Sequence, residues 1–497
     1  MEDLCHIISS CNLESSSSDI PCLKTIILLE GTSDEVPGAM EAGVQIIEWD
    51  DLLVTGTVNP AEERPPKPED VYVICHTSGT TGRPKGVQTT HSNLLAAVAG
   101  LYCQWCLPPH KIPFDKTDVY FSFLSLAHIY EHLMQNFMTY IGGRVGIYSG
   151  DTAKILPDMQ LLQPTIVALV PRLLNKFYDA VHARMAAQSV IVRTLFKLAK
   201  WWKLRLLARG VARFDTIWDR VVFSKVHALL GGKIRLLTTG GAPVSPAVKD
   251  FTRIAYGALM FEGYGQTECG AAGTLNLPTD TLAGHVGGPA PWSQIKLVDV
   301  PDLGYYAKED RGEVCFRGAA VMSGYLGDRS LTEKTVDSKG WLHTGDIGQW
   351  LQNGSLAIVD RKNAFFKLAQ GDFVAPEIIE GVYAQSSIVQ QIFITGRTTR
   401  SFLVAIVVLD LRPLASAPIN DLMEEKKIKE FVLDELTALG KSKGLTSIEL
   451  PRNIWMTSEE FTAEAGFLTS TLKMRRHILA AHFADKIEEM YSEISSA

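Results

Sequence analysis

Between residues 71 and 300 the chain alternates short apolar runs with longer stretches of helical periodicity. VYVIC (71–75) is apolar and β-branched and reads as a buried strand, and DVYFSF (118–123), TIVALV (165–170) and KIRLLTT (233–239) read as further strands. Strands alternating with helices imply crossover connections, so the pattern predicts an α/β architecture with a parallel sheet. Over residues 285–359 the segments shorten (IKLVDV, GEVCFRG, SLAIVD) and glycine turns multiply, which predicts a β-rich subdomain. A new compact unit is expected from about Arg361, ending in a charged helix over residues 480–494. The expected division is therefore residues 1–361 and 362–497. Ahead of all this, ESSSSDIP closes a tail with the composition of disorder, KTIILLE and VQIIEW read as short buried strands, and NPAEERPPKPED (59–70) reads as an extended linker. No internal repeat is visible.

Composition narrows the class. With 497 residues, 46% of them hydrophobic and 21% charged, the chain can bury at least two substantial cores. A net charge of -7 argues against a general nucleic-acid binder. Eight cysteines in so long a chain make no disulfide framework, and nothing at Met1 resembles a secretory signal, so a reducing compartment is expected. Cys103 and Cys106 form one CxxC without a second pair, better read as packing or chance than as zinc ligation. No apolar run reaches the about 18 residues that span a bilayer. Residues 190–214, VIVRTLFKLAKWWKLRLLARGVARF, are different: seven lysines and arginines lie among leucines and two tryptophans, with no acid. They read either as an interfacial helix or, by default, as a solvated helix whose apolar face packs on the core.

The candidate chemistry sits in loops. CHTSGTTGRPKG (75–86) combines glycines, hydroxyls and Lys85 after a strand, the make-up of a loop that meets anionic oxygens, although it lacks the GK[ST] of a Walker loop. TTGGAPVS (238–245) and EGYGQTE (262–268) also follow strands. Loops at the carboxyl ends of parallel strands line one crevice, so all three are expected to converge on one ligand. Tyr264 offers an aromatic face and Glu268 a hard oxygen for Mg²⁺. WLHTGD places Asp346 in a turn where its carboxylate could accept two sugar hydroxyls, and TSTLKMRR groups Lys473 with two arginines.

Together TSGTTGRPKG, GYGQTE, WLHTGDIG and IVDRKNAFFKLAQGDFVAPEIIE resemble, in order, the motifs of the adenylate-forming (AMP-binding) superfamily. SFLSLAHIYEH, GHVGGPAP, IKLVDV and SKGWLHTGDIGQW are similar to those of the eukaryotic long-chain fatty acid–CoA ligases, nearest to the animal type. The resemblance runs from about Leu23 almost to the end. Family chains begin well upstream, so it implies an N-terminally incomplete chain. It implies a large AMP-binding domain (1–361) of α/β subdomains plus a β-rich subdomain, and a small mobile α+β lid (362–497).

On this resemblance Thr77, Ser78, Gly79, Thr80, Thr81, Gly82 and Lys85 would embrace the ATP phosphates. Gly241, Ala242 and Pro243 would line the adenine and acyl sites, Tyr264 would stack on adenine beside Gln266, and Asp346 and Arg361 would fix the ribose. Thr267 and Glu268 would act at the phosphates, with Glu268 and Thr77 as Mg²⁺ ligands. His128 would line the acyl pocket, and Lys473 would stabilise the adenylation step. Asn363 stands where the family commonly has aspartate or lysine as the hinge. The implied reaction joins a long-chain fatty acid to CoA with ATP and Mg²⁺, through acyl-AMP. Peripheral membrane contact at the cytosolic face of an intracellular membrane is implied, the endoplasmic reticulum first, with the mitochondrial outer membrane and peroxisome as alternatives. Rival readings are an adenylate-former that loads a carrier protein and a nucleotide-binding protein without catalysis. Chain-length preference, organelle and oligomeric state are not legible.

Overall fold

The computed structural model describes residues 24–29, 44–78, 84–108, 110–277, 280–362, 366–370, 373–397, 399–410, 425–468 and 474–495. It forms two compact units, residues 1–67 and 68–497. In the first, β1 (Thr25–Leu28) pairs in parallel with β2 (Gln45–Glu48), and α1 (Trp49–Val58) follows. The predicted strands exist, but their burial is one-sided: Ile26 packs with Val44 while Ile27 is exposed. Residues 59–67 are exposed and without regular structure, as the proline-rich composition predicts.

The second unit opens with an antiparallel hairpin, β3 (Val71–Ser78) and β4 (Pro84–Thr90), then α2 (His91–Cys106). Thr90 caps this helix reciprocally: its hydroxyl accepts from the Asn93 amide at 3.2 Å while Asn93 Oδ1 accepts from the Thr90 amide at 3.0 Å. Next come β5 (Val119–Ser122), α3 (Ile129–Tyr140), β6 (Arg144–Ile147), α4 (Ile155–Leu162), β7 (Ile166–Leu169), α5 (Pro171–Ala186), α6 (Val190–Leu207), α7 (Ile217–Val221), α8 (Ser224–Leu229), β8 (Leu236–Gly240), α9 (Pro246–Ala255) and β9 (Leu259–Tyr264). Strands β6, β5, β7, β8 and β9 run parallel, and β10 (Thr274–Leu275) and β11 (Gly288–Pro289) extend the sheet antiparallel in the order β11-β10-β9-β8-β7-β5-β6.

Both faces of the parallel core are covered, which is why its strands are apolar without alternation. Val167 and Leu169 face a core made with α5, α6 and α9, while Ile166 and Ala168 face one made with α2 and α3. The hairpin departs from this pattern. It belongs to a separate three-stranded sheet, in which β4 lies between β3 and the short strand Gly324–Tyr325, and in which Cys75 is buried but Val71 and Ile74 are exposed, so VYVIC is not the buried strand its composition suggested.

The β-rich stretch is present as β12 (Gln294–Val298), β13 (Arg311–Arg317), β14 (Gly324–Tyr325), α10 (Arg329–Thr335), β15 (Leu342–Trp350) and β16 (Leu356–Arg361). Of these, β12-β13-β15-β16 form one antiparallel sheet and β14 joins the hairpin. Beyond it lie β17 (Phe366–Lys367), β18 (Phe373–Val374), α11 (Pro376–Tyr383), β19 (Val389–Thr395), β20 (Leu403–Leu409), α12 (Glu425–Ser442), β21 (Pro451–Thr457), α13 (Arg476–His482) and α14 (Ala484–Ser495). Strand β20 is again buried on both sides, Leu403, Ala405 and Val407 against α11 and α12, and Val404, Ile406 and Val408 against α13 and α14. The single charged helix expected over 480–494 is two helices, broken at Phe483.

The basic stretch is helical over α6, and its inward residues Phe196, Ala199, Lys203 and Leu207 are buried. Lys203 is not a surface cation: its ammonium forms an ion pair with buried Asp219 on α7. Among the described residues no helix is long and apolar enough to cross a membrane.

Candidate active site

Strand β9 meets the β15–β16 hairpin at Asp346. Strand β9 ends at Tyr264, whose hydroxyl donates to Asp346 Oδ2 at 2.7 Å, and Gln266 just beyond donates from Nε2 to the same oxygen at 2.9 Å and to the Thr344 carbonyl at 2.7 Å. Arg361 lies across from Asp346 in the β15–β16 ladder, with Nε 3.6 Å from Oδ1. Asp346 is in strand β15 and not in the expected turn. The strand bulges there, because Val314 faces the three residues between the His343 and Ile347 pairings and Gly345 adopts φ +70°. The bulge is closed by Thr344 Oγ1 donating to the Val314 carbonyl at 2.7 Å and by the Gly345 amide donating to Glu313 at 3.1 Å. Such an irregularity re-aims a side chain, and here it turns the Asp346 carboxylate toward β9. Burial, then the adjacent carboxylate, pushes the Tyr264 phenol well above its ordinary pKa, so it remains a hydrogen-bond donor. The Tyr264 ring lies 5.7 Å from that of Phe316 on β13.

The second cluster surrounds Glu268, in a 3-10 turn (Thr267–Cys269) directly after β9. Tyr325 on β14 donates its hydroxyl to Glu268 Oε1 at 2.8 Å, and the Met322 amide donates to the Glu268 carbonyl at 2.8 Å. The Lys85 ammonium lies 5.7 Å from the centre of the Tyr325 ring. Register places Thr77 directly opposite Lys85, and Gln88 and Val87 opposite Gly324 and Tyr325. The β3–β4 hairpin is thereby tied to Glu268 through Tyr325, a residue the motifs did not single out. The three loops do not leave one sheet as expected: the β8 and β9 loops follow neighbouring parallel strands, whereas the hairpin strands belong to the other sheet and meet Glu268 through β14.

After β8, Gly241, Ala242 and Pro243 are exposed, and Gly241 holds φ +86° with open space where a Cβ would stand. Ser245 then caps α9, its hydroxyl accepting from the Val248 amide at 3.4 Å. Beneath these loops Lys249 of α9 donates to Glu262 of β9 at 2.5 Å and to the His285 carbonyl at 3.1 Å, a buried pair joining the elements that carry the two loops. His128 is half-buried at the start of α3. Nearby, Tyr130 donates to Thr238 of β8 at 2.6 Å. Gly79, Thr80, Thr81, Gly82, Asn363 and Lys473 lie outside the described residues, and of Ser78 only the strand backbone is described.

The donor set suits a hard cation that takes most of its ligands from water and phosphate: a carboxylate at Glu268 and a hydroxyl at Thr77, with no cluster of three or more His, Cys, Asp or Glu among the described residues.

The AMP-binding enzyme family model matches residues 6–326. The chain is 41% identical over 492 residues to long-chain-fatty-acid–CoA ligase 1 of Cavia porcellus, covering 97% of this chain and 70% of that protein. It is 42% identical over 483 residues to long-chain-fatty-acid–CoA ligase 5 of Mus musculus, covering 95% and 70%. Among solved structures, the adenylation domain of a carboxylate reductase from Mycobacterium chelonae aligns with TM-score 0.71 at 26% identity, over 97% of this chain and 72% of that one. The corresponding domain from Segniliparus rugosus, solved with AMP and a co-purified carboxylic acid, aligns with TM-score 0.72 at 23% identity, over 97% and 74%, a likeness of fold. With its relatives matched over most of both lengths, the chain belongs to the AMP-binding enzymes, in the family of the long-chain-fatty-acid–CoA ligases.

Proposed function

We propose that this chain activates a long-chain fatty acid with ATP to acyl-AMP and pyrophosphate, and then transfers the acyl group to the CoA thiol with release of AMP. The observation that carries the reading is the pairing of Tyr264 and Gln266 with Asp346 on one side of the β9 loop and of Glu268 with Tyr325 and Lys85 on the other. One short segment so links a group suited to sugar hydroxyls with groups suited to phosphate.

A fatty carboxylate, with a reference pKa of roughly 4 to 5, is ionised at neutral pH, so adenylation needs no general base. The obstacle is charge: the carboxylate attacks the α-phosphorus of an anionic nucleotide. Lys85, opposite Thr77 at the base of the hairpin loop, supplies a fixed cation for the departing pyrophosphate. Asp346 and Arg361 orient the ribose, Tyr264 the base, and Gly241, Ala242, Pro243 and His128 border the acyl group. Mg²⁺, when bound by Glu268 and Thr77, neutralises phosphate charge. The carboxylate–phosphorus bond forms as the bond to pyrophosphate breaks. In the second step the thiolate sulfur displaces AMP from the acyl carbon.

Residues 362–497 serve as a lid that turns about Asn363, bringing Lys473 to the adenylation step. Contact with the cytosolic face of an intracellular membrane suits the hydrophobic substrate, the endoplasmic reticulum before the mitochondrial outer membrane or peroxisome. The test is palmitate-dependent pyrophosphate release followed by CoA-dependent palmitoyl thioester formation. Pyrophosphate release without thioester, restored by a phosphopantetheine carrier protein, would favour carrier loading, and release of neither product would end the ligase reading.

A further inference from the structure

Helix α6 is apolar on two opposite sides, and only one of them is used inside the protein. Its inward stripe, Phe196, Ala199, Lys203 and Leu207, is buried against the core shared with α5 and α9. Two of its basic residues are consumed there: Lys203 pairs with Asp219, and Lys200 Nζ lies 2.9 Å from His182 Nε2 and 5.4 Å from the Phe251 ring. On the opposite side Val190, Ile191, Leu198 and Trp201 stand 67%, 74%, 47% and 51% exposed. A helix that merely covers a core presents polar residues outward. This one presents a second apolar stripe.

The charges on that stripe have one sign. Lys197 and Arg205 share it, Arg205 stacking 4.7 Å from the Trp201 ring, with Arg193 at its flank. Among the described residues none of these three forms an ion pair, and from Val190 to Phe214 the sequence has no acid, the next being Asp215, which is paired with Arg213. A local excess of unpaired cations on a chain of net charge -7 selects an anionic partner. A second copy of the chain fits poorly, since a two-fold contact would set Lys197 and Arg205 of each copy against their own kind.

We infer that the outward face of α6 docks the enzyme on anionic phospholipid bilayers, with Val190, Ile191, Leu198 and Trp201 entering the headgroup boundary and Arg193, Lys197 and Arg205 meeting lipid phosphates and carboxylates. The inference rests on the ligase reading only for its purpose, the delivery of a membrane-partitioned fatty acid. Lys200 and Lys203 take no part in the lipid contact, because α6 is at once the core-packed helix and the interfacial helix between which the sequence left the basic stretch open.

The experiment is vesicle co-sedimentation of the full chain with phosphatidylcholine alone and with added phosphatidylserine. Adding phosphatidylserine should strengthen binding about tenfold or more, and Lys197→Glu with Arg205→Glu should abolish that gain. Leu198→Ser with Trp201→Ser should weaken binding to both vesicle types, whereas the charge-matched control Lys116→Glu with Lys339→Glu, outside the helix, should leave phosphatidylserine-dependent binding largely intact. Binding indifferent to phosphatidylserine, or equal losses from the control pair, would overturn the inference. So would sedimentation velocity showing an oligomer that Leu198→Ser with Trp201→Ser dissolves, because the face would then be a self-association surface. Palmitoyl-CoA synthesis from palmitate in neutral detergent micelles, measured on the same proteins, tests the ligase reading apart from docking: its absence in the parent would remove the activity without touching the vesicle result.

Discussion

Asp346 and Glu268, the two carboxylates of the candidate site, are held in different ways. Asp346 is buried in a bulged strand, with two donors on one oxygen and an arginine beside the other. Glu268 stands half-exposed in a three-residue turn, and among the described residues Tyr325 is the one donor to its carboxylate. The first is a finished piece of architecture in which ligand hydroxyls would join an existing network. The second keeps most of its acceptor capacity open, as a group must if a cation is to share it. The difference predicts a division of labour: change at Glu268 should cost chemistry, and change at Asp346 should cost order as well as nucleotide affinity.

The largest effect tests the first half. Glu268→Gln keeps the shape and an acceptor for Tyr325 but removes the charge, so acyl-AMP formation should fall by about 10²- to 10³-fold with the urea midpoint little changed. Palmitate-dependent ATP–pyrophosphate exchange over a range of Mg²⁺ reads the rate. Exchange at the parent's rate would break the comparison at its stronger end. Next in size, Lys85→Ala should raise the KM for ATP about 10- to 30-fold, the loss of about 1.5–2 kcal/mol of charge-assisted contact, with Lys85→Arg restoring part of it. A fall in kcat with unchanged KM would assign Lys85 to the transition state alone.

Asp346→Asn addresses the other half. The amide oxygen can replace Oδ2 and keep both donors, but its NH₂ then faces the Arg361 guanidinium where Oδ1 stood, and the charge that all three neighbours meet is lost. A stability loss of about 1–3 kcal/mol is expected from urea unfolding, with a smaller loss of exchange rate than Glu268→Gln gives. The inverse ranking, a stable Asp346→Asn and an unfolded Glu268→Gln, would reverse the roles drawn here.

How much of this was readable beforehand depends on how far each feature reaches along the chain. Strands β7 and β8 are legible because burial on both faces writes itself into consecutive apolar residues. The β3 strand misled because Val71 and Ile74 are exposed although apolar, and β-branching reports fit to a pleat more than burial. The motifs named Asp346, yet its position in a bulge depends on the register of β15 against β13, which no local pattern carries. Lys203 looked like its basic neighbours until Asp219, 16 residues on, turned it inward. Tyr325 was missed for the same reason. Its segment SGYLG reads as a glycine turn, and its partner Glu268 is 57 residues away; a tyrosine between two glycines following the GYGQTE motif was the available signal.

Tyr325 also supplies the smallest and most discriminating test, because it touches both Glu268 and Lys85 by different means. Its hydroxyl donates to Glu268, and its ring lies 5.7 Å from the Lys85 ammonium. Burial, then the Glu268 charge, pushes the phenol above its ordinary pKa, so it stays protonated across the working pH range and acts only as a donor. Tyr325→Phe removes the hydrogen bond and leaves the ring. It should lower the exchange rate about three- to tenfold, for about 1 kcal/mol of orientation at Glu268, and leave the KM for ATP close to the parent's. Tyr325→Leu removes the ring as well, and the KM for ATP should now rise about two- to fivefold, matching the about 0.5–1 kcal/mol of a partly exposed cation–π contact. If Phe and Leu behave alike in both parameters, the ring does not position Lys85 and the hairpin depends on Tyr325 through its backbone pairing alone. If Phe instead alters the KM and spares the rate, the open carboxylate of Glu268 does not rely on its single donor, and the contrast with Asp346 is wider than drawn.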